Sequence, residues 1–338
     1  MFNVHEQMSL ALEMERSMNE GQHHAYHTIL NAVDQNMGQT FFLDGPGGSG
    51  KTFVYNALLS HLRGREKIAL ACASSGIAAL LLSNGRTAHS RFKIPIDVKS
   101  HSTCNVKVTS NLANLIKQTA LIVWDEAPMI HRHAFEALDK TLHDIMQKDL
   151  VFGGKTMLLG GDFQQILPVI PKGRREDIVG ASLCNSNLWR HIKVLKLIEN
   201  MRLIDSAIVQ TERDFARWVL DIGNGNLHID AASDDVNIPC NMLVEGNSIE
   251  HLIEHMYGSM SNVENFADFF KERGILSPKN KEVDMTNSLG LRRLGDNVAN
   301  FRMYLSASMK YHFALEHCLL LRLDTTMLHL NTIQMGTK

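Results

Sequence analysis

The chain has 338 residues, enough for about two domains of ordinary size. Its 44% hydrophobic and 21% charged residues fit a soluble globular protein and exclude a disordered or collagen-like chain. Lys and Arg total 34 against 36 Asp and Glu, a formal net charge of −2 that excludes a globally basic nucleic-acid coat but leaves room for a local basic track.

The first residues, MFNVHEQMSLALEMERSMNE, carry Glu6, Glu13, Glu15 and Glu20 and lack the basic-then-apolar order of a signal peptide. Short apolar runs then alternate with longer amphipathic stretches, which predicts an α/β fold, a parallel sheet with helices on both faces. A strand is predicted at Thr40–Leu43, and behind it residues 45–52 read GPGGSGKT, a full G-x-x-x-x-G-K-[ST]. Gly45, Gly47, Gly48 and Gly50, with Pro46 and Ser49 between them, let consecutive backbone N–H groups turn inward onto phosphate oxygens, and the helix predicted over Thr52–Leu62 adds its positive end. In such a loop Lys51 neutralises the outer phosphates and the Thr52 hydroxyl completes a Mg²⁺ shell.

The second predicted strand, Ile68–Ala73, opens the longest apolar run, which Ser74-Ser75-Gly76 interrupts before Leu82, so no run reaches the roughly 18 residues of a membrane span. Residues 86–117 fit the sheet pattern poorly and hold Arg86, Arg91, Lys93, Lys99, Lys107 and Lys117 against a single acid, Asp97. A third strand, Leu121–Trp124, ends on Asp125 and Glu126. There Asp125 suits a Mg²⁺ held through water and Glu126 a general base for the attacking water. Further strands are predicted at Thr156–Leu159 and Val194–Leu197, each closing on small or polar residues, so that polar loops gather at the carboxyl ends of the strands, where open α/β sheets bind ligands. Together these features predict a Mg-ATPase.

After Glu199 the pattern loosens. Residues 223–235 (GNGNLHIDAASDD) predict a loop or domain joint, and residues 285–290 open a tail without a clean period. His251, Glu254 and His255 fit H-x-x-E-H, but 17 histidines make an i, i+4 pair unremarkable and no third ligand is anchored, so zinc hydrolysis is not expected. The five cysteines are scattered, odd in number and without a C-x-x-C pair, which predicts a reducing compartment and neither a zinc knuckle nor a disulfide framework.

The succession GPGGSGKT, ASSGIAALLLSNGRTAHSRF, IVWDEAPM, GGDFQQILPV, ENMRL and SPKNKEV resembles the petite-integration-frequency family of superfamily 1B DNA helicases, and within it the Helitron-like branch, over about residues 19–288. The resemblance implies two RecA-like domains that clamp ATP with Mg²⁺ and translocate 5′ to 3′ on single-stranded DNA, unwinding forked or tailed duplexes in repair, recombination or telomere and transposon maintenance. It implies Gln22 as the adenine-reading glutamine, Gln165 as the sensor of the γ-phosphate and Arg202 as an arginine finger offered by the second domain. Gln164 stands where members of that branch usually carry Arg. Ser75, Thr87, His89 and Asn280 match strand-contacting motifs, and Arg91, Phe92 and Lys93 are expected to form a charged groove with Phe92 as a stacking platform.

The implied organisation is an N-terminal extension over 1–18, an ATPase domain over 19–190 with a small wedge insert at about 90–117, a partial second RecA-like domain over 191–288 and a divergent tail over 289–338. The family's last two motifs find no match after Ser288, so a truncated chain is expected, with a remnant that binds ATP and DNA without unwinding as the alternative. A monomer in the nucleus, with the mitochondrion as alternative, completes the expectations.

Overall fold

A computed structural model of the chain describes residues 3–203, 210–226, 238–246, 248–258, 269–270, 273–277 and 280–294. It divides into two compact units, Met1–Asn224 and Gly225–Lys338.

The first unit is built on a six-stranded parallel sheet of order β3-β2-β4-β5-β1-β6: β1 Thr40–Asp44, β2 Ile68–Ala73, β3 Arg86–Thr87, β4 Thr119–Asp125, β5 Met157–Gly161 and β6 Ile192–Lys196. Every residue of β5 is buried, as a strand covered on both faces must be. The period-2 alternation divides the core in two. Phe41, Leu43, Ala69, Ala71, Leu121, Val123 and Leu158 face helices α2 (Glu20–Asp34), α3 (Lys51–Gly64) and α4 (Gly76–Leu81). Phe42, Leu70, Cys72, Ile122, Trp124, Met157 and Leu159 face α5 (Ala88–Phe92), α6 (Asn111–Gln118) and α7 (Arg132–Met146). Each helix shows why it packs as it does. In α7, Ala134, Phe135, Leu138, Thr141, Leu142 and Ile145 recur at three- and four-residue spacing and are all buried. In α2 a capping box closes the start, with Asn19 accepting from the Gln22 N–H and the Gln22 side chain accepting from the Asn19 N–H.

Helix α1 (Val4–Arg16) packs on α3, where a Cβ on Gly64 would meet the Met8 backbone within 3.0 Å. Helices α8 (Arg175–Ala181) and α9 (Gln210–Asn224) complete the unit. In the second unit α10 (Ile249–Tyr257) and α11 (Asn280–Leu294) carry a small cluster in which Ile253, Tyr257 and Ile275 are buried against Leu289.

Two expectations change. Strand β6 hydrogen-bonds to β1, so a boundary at residue 190 would cut off an edge strand of the first sheet, and the unit runs on to Asn224. Residues 90–117, the expected wedge insert, are anchored on the sheet, with Phe92, Ile94, Cys104, Ala113 and Ile116 buried in the second core face and the Cys104 N–H donating to Thr141 Oγ1 at 2.8 Å. Residues 285–290, lacking a clean period, are helical within α11. Of the expected joint at 223–235, residues 227–230 and 231–235 lie outside the described residues, as does the tail from 295 on.

Candidate nucleotide site

The glycine loop leaves β1 and enters α3 through Gly50, whose φ of +82° is in the left-handed region. No side chain caps α3, so its first N–H groups keep their donors for an anion. Gly48, at φ +85°, is closed in by the Asn200 side chain, and a Cβ on Gly45 would lie 2.6 Å from Ser49 Oγ and 3.0 Å from the Leu197 carbonyl. Lys51 Nζ folds back to donate to the carbonyls of Gly45 at 2.6 Å and Pro46 at 3.3 Å. Buried Ser49 Oγ has no hydrogen-bond partner among the described residues.

Around Lys51 the strand ends supply carboxylates. Asp125 is 3% exposed, and burial, reinforced by the Glu126 charge, pushes it up to about 7, while the Glu126 N–H donating to its Oδ1 at 2.8 Å and the Lys51 charge pull the other way. Glu126 is raised by burial and, secondarily, by Asp162, against the lowering effect of Lys51. It takes a φ of +53°, a left-handed conformation that costs a non-glycine residue on the order of 1 kcal/mol or more. Asp44, at the end of β1, is likewise raised by burial and by Asp162. A group of buried and half-buried carboxylates around one ammonium is a site built to take up further positive charge. Thr52, in the first turn of α3, and Asp125, with one oxygen committed to a single backbone donor, fit the hard oxygen donors that Mg²⁺ prefers.

Sheet order explains the third component. Strand β5 lies between β4 and β1, so the residues after it enter between Asp125 and the glycine loop. There Asp162 Oδ1 accepts from the Gln164 N–H at 2.9 Å and Oδ2 from Gln165 Nε2 at 3.2 Å. Phe163 stacks on Phe42 with centroids 4.9 Å apart and meets Trp189 edge-on at 5.5 Å, which fixes the segment to the core. Gln164 turns away and donates to Asn224 Oδ1 at 2.5 Å.

The segment after β6 crosses the loop. The Met201 N–H donates to the Gly48 carbonyl at 3.0 Å, the Leu197 N–H to the Asp44 carbonyl at 2.8 Å, and the Arg202 Cδ would lie 3.2 Å from a Cβ on Gly48. Arg202 is therefore beside the loop and within the same compact unit as it, a correction to its expected delivery by a second domain. Gln22 is 1% exposed and binds the loop itself, its Nε2 donating to the Ser49 carbonyl at 3.0 Å and its Oε1 accepting from the Asn19 N–H at 3.2 Å.

The expected strand-contacting residues are not gathered in this way. Ser75 Oγ caps α4 by accepting from the Ala78 N–H, and Thr87 Oγ1 caps α5 by accepting from the Ser90 N–H. His89 is half-buried and its pKa is lowered by that burial. Phe92 is a correction: it is fully buried, stacked toward Trp124 with centroids 6.1 Å apart, and offers no face to a base. Arg91 donates inward, to the Asn84 carbonyl at 2.8 Å and the Ala71 carbonyl at 3.3 Å. Asn280 begins α11, and its side chain lies outside the described residues. The H-x-x-E-H residues lie on α10, where Glu254 is paired with Arg293 and His251 with Ser248.

Sequence reasoning missed Asp44, Asp162 and Tyr55. The two aspartates stand at the carboxyl ends of β1 and β5, a position that could have found them. Tyr55 is one helical turn beyond Lys51 and fully buried. Its hydroxyl faces the Asp125 carboxyl, and burial, the Asp125 and Glu126 charges and a side-chain hydrogen bond with Asp125 together raise its pKa well above the ordinary tyrosine value.

The family model described as PIF1-like helicase matches residues 17–233. The chain is 32% identical over 167 residues to the ATP-dependent DNA helicase Pif1 of Psychrobacter sp., covering 49% of this chain and 25% of that protein. It is 26% identical over 216 residues to the ATP-dependent DNA helicase RRM3 of Saccharomyces cerevisiae, covering 62% of this chain and 28% of that one. The chain thus spans about a quarter of the length of these relatives. Among solved structures, Pif1 helicase from Bacteroides in complex with ADP-AlF3 and ssDNA aligns with a TM-score of 0.56 at 20% identity, covering 80% of this chain and 56% of that one. Pif1 helicase from Candida albicans aligns with a TM-score of 0.54 at 20% identity, covering 81% and 54%. Likeness at that identity is one of fold.

Proposed function

Since the chain belongs to the PIF1-like helicase family, we propose that it hydrolyses ATP with Mg²⁺ and couples the reaction to 5′-to-3′ movement on single-stranded DNA and to unwinding of forked or tailed duplexes. What supports the reading is that the charge of Lys51 acts on Asp125 and Glu126 at the end of β4, that Arg202 from the segment after β6 flanks Gly48, and that Gln165 is bonded to Asp162, whose charge acts on Glu126.

In this reading the α3 N-terminus and Lys51 hold the phosphates, and Thr52 and Asp125 would hold Mg²⁺, which would supply charge neutralisation. Glu126, with its raised pKa, takes the proton of the attacking water, Gln165 orients the terminal phosphate and Arg202 meets the charge that develops on it. Gln22 keeps one N–H and one lone pair free of its protein contacts for an adenine edge. Repair, recombination or transposon maintenance in the nucleus is the setting the family suggests.

The test compares ATP hydrolysis with and without single-stranded DNA in the wild type and Lys51→Ala, followed by unwinding of a 5′-tailed duplex. DNA-stimulated hydrolysis that disappears in Lys51→Ala, together with strand separation, is the expected result. Hydrolysis indifferent to DNA would sink the coupling. A second reading is a chain that binds ATP and DNA but unwinds nothing; the inward commitments of Ser75, Thr87, Arg91 and Phe92 leave that segment with fewer groups to pull on a strand. Tail binding without strand separation at saturating ATP would select it.

A further inference from the structure

The nucleotide reading leaves aside a cluster at the junction of α1 and α2. Glu15 lies in the last turn of α1, and His23 and His27 are one turn apart on α2. His27 Nε2 is 3.0 Å from Glu15 Oε1 and 3.1 Å from His23 Nε2, and His23 Nε2 is 3.9 Å from the same Glu15 oxygen. Among the described residues this is the one place where three such groups bring their ligand atoms together within 4.8 Å.

Two imidazole nitrogens and a carboxylate oxygen at these separations match one face of a tetrahedron. Ligands at about 2.0–2.1 Å from a zinc ion stand a little over 3 Å from each other. Hydrogen bonding alone serves the three groups poorly. A neutral imidazole has one N–H and one lone pair, so two Nε2 atoms that face each other and a carboxylate compete for the protons between them. A single cation satisfies all three lone pairs at once. His23 and His27 also line a groove of about 630 Å³ with Asn19, Glu20, His24 and Asn31, which leaves room for a water as fourth ligand.

We propose that Glu15, His23 and His27 bind a divalent first-row transition-metal ion of the zinc class, three protein ligands with one position open to solvent. The ion ties the end of α1 to α2, the helix whose first turn carries Gln22 and its bond to the Ser49 carbonyl.

The test uses the full chain, stripped with chelator and titrated with Zn²⁺ by calorimetry and with Co²⁺ by visible absorption. One ion per chain, a four-coordinate Co²⁺ spectrum and a melting temperature that rises on Zn²⁺ addition are expected. Glu15→Gln, and separately His23→Gln with His27→Gln, should lower Zn²⁺ affinity by at least about tenfold, the lower figure for losing even an outer-shell partner of a metal site. These side chains are partly exposed, so melting of the metal-free variants should stay near that of the wild type and exclude a folding defect. His251→Gln with His255→Gln should bind as wild type does. Binding unchanged in the His23/His27 variant, or a Co²⁺ spectrum like that of the aqueous ion, would overturn the site.

Discussion

Gln22 Nε2 and the Ser49 carbonyl, 3.0 Å apart, join the first turn of α2 to the glycine loop. The bond has no slack, because a Cβ on Gly50 would fall on the same Nε2 atom. Asn19 extends the connection, its Nδ2 donating to Glu199 Oε2 at 2.8 Å and to Met201 Sδ at 3.0 Å. One capping box therefore holds both the loop and the segment that crosses it. Gln22→Glu keeps the shape and exchanges the donor for a carboxylate facing a carbonyl. It should lower unfolding free energy by about 1–3 kcal/mol, read by urea denaturation, and weaken ATP binding.

Asp125 sets a pH dependence with two opposite arms. Its folded pKa of about 7 lies above its unfolded value near 4. Its contribution to stability is therefore complete below about pH 4, where folded and unfolded chains both carry the proton, and is lost as pH rises through about 7. Mn²⁺ binding, which needs the carboxylate, should strengthen over the same rise. Asp125→Asn should abolish that pH-dependent gain in Mn²⁺ affinity and melt at a higher temperature than wild type at pH 8, with little difference at pH 4. Thermal melts at the two pH values and Mn²⁺ titrations across the range provide the check.

At Gly160 a Cβ would land on the Tyr55 hydroxyl and stand 2.9 Å from its Cζ. Gly160→Ala should destabilise the fold by about 1–3 kcal/mol, as overpacked sites do. Adding Tyr55→Phe removes the atom in the way and should recover part of the loss. Tyr55→Phe alone should change stability by no more than about 1 kcal/mol, because it removes a buried hydroxyl together with that hydroxyl's hydrogen bond with the Asp125 carboxyl. A double-mutant cycle that gives strict additivity would contradict this contact.

Phe92→Ala distinguishes a core residue from a stacking platform. With Phe92 buried between Trp124 and its neighbours, the substitution should cost about 3–5 kcal/mol of stability. Under conditions where the variant is folded, its affinity for single-stranded DNA should change little, a comparison that fluorescence anisotropy makes directly.

The nucleotide site was legible because its residues are adjacent in sequence to the apolar runs that become strands. The strands predicted at Thr40–Leu43, Ile68–Ala73 and Leu121–Trp124 lie within or coincide with β1, β2 and β4, and acids follow the first and third at once. Strand order was not legible, since nothing local records that β5 inserts between β4 and β1 or that β6 pairs with β1. That is why the order of motifs alone does not place Arg202 in the same unit as the glycine loop. The strand-contacting motif suffered from a different ambiguity. Ser75 and Thr87 are as suitable for capping a helix as for touching a phosphate, and an aromatic between two cations, as Phe92 is, reads alike whether it points outward or into a core. The Glu15–His23–His27 cluster depends on two helices meeting across a turn, a proximity that periodicity within either helix does not reveal.

Lys51 resting on the carbonyls of Gly45 and Pro46 has a consequence for how a nucleotide is received. The ammonium already has partners, so arrival of a phosphate is a trade, neutral oxygens given up for charged ones, and the measured affinity is the difference between the two holdings. In return the loop is kept in shape by its own lysine and does not have to be ordered by the ligand, which spares the entropy of closure at the moment of binding. The glycine loop is thus a seat held by its own occupant until the guest arrives.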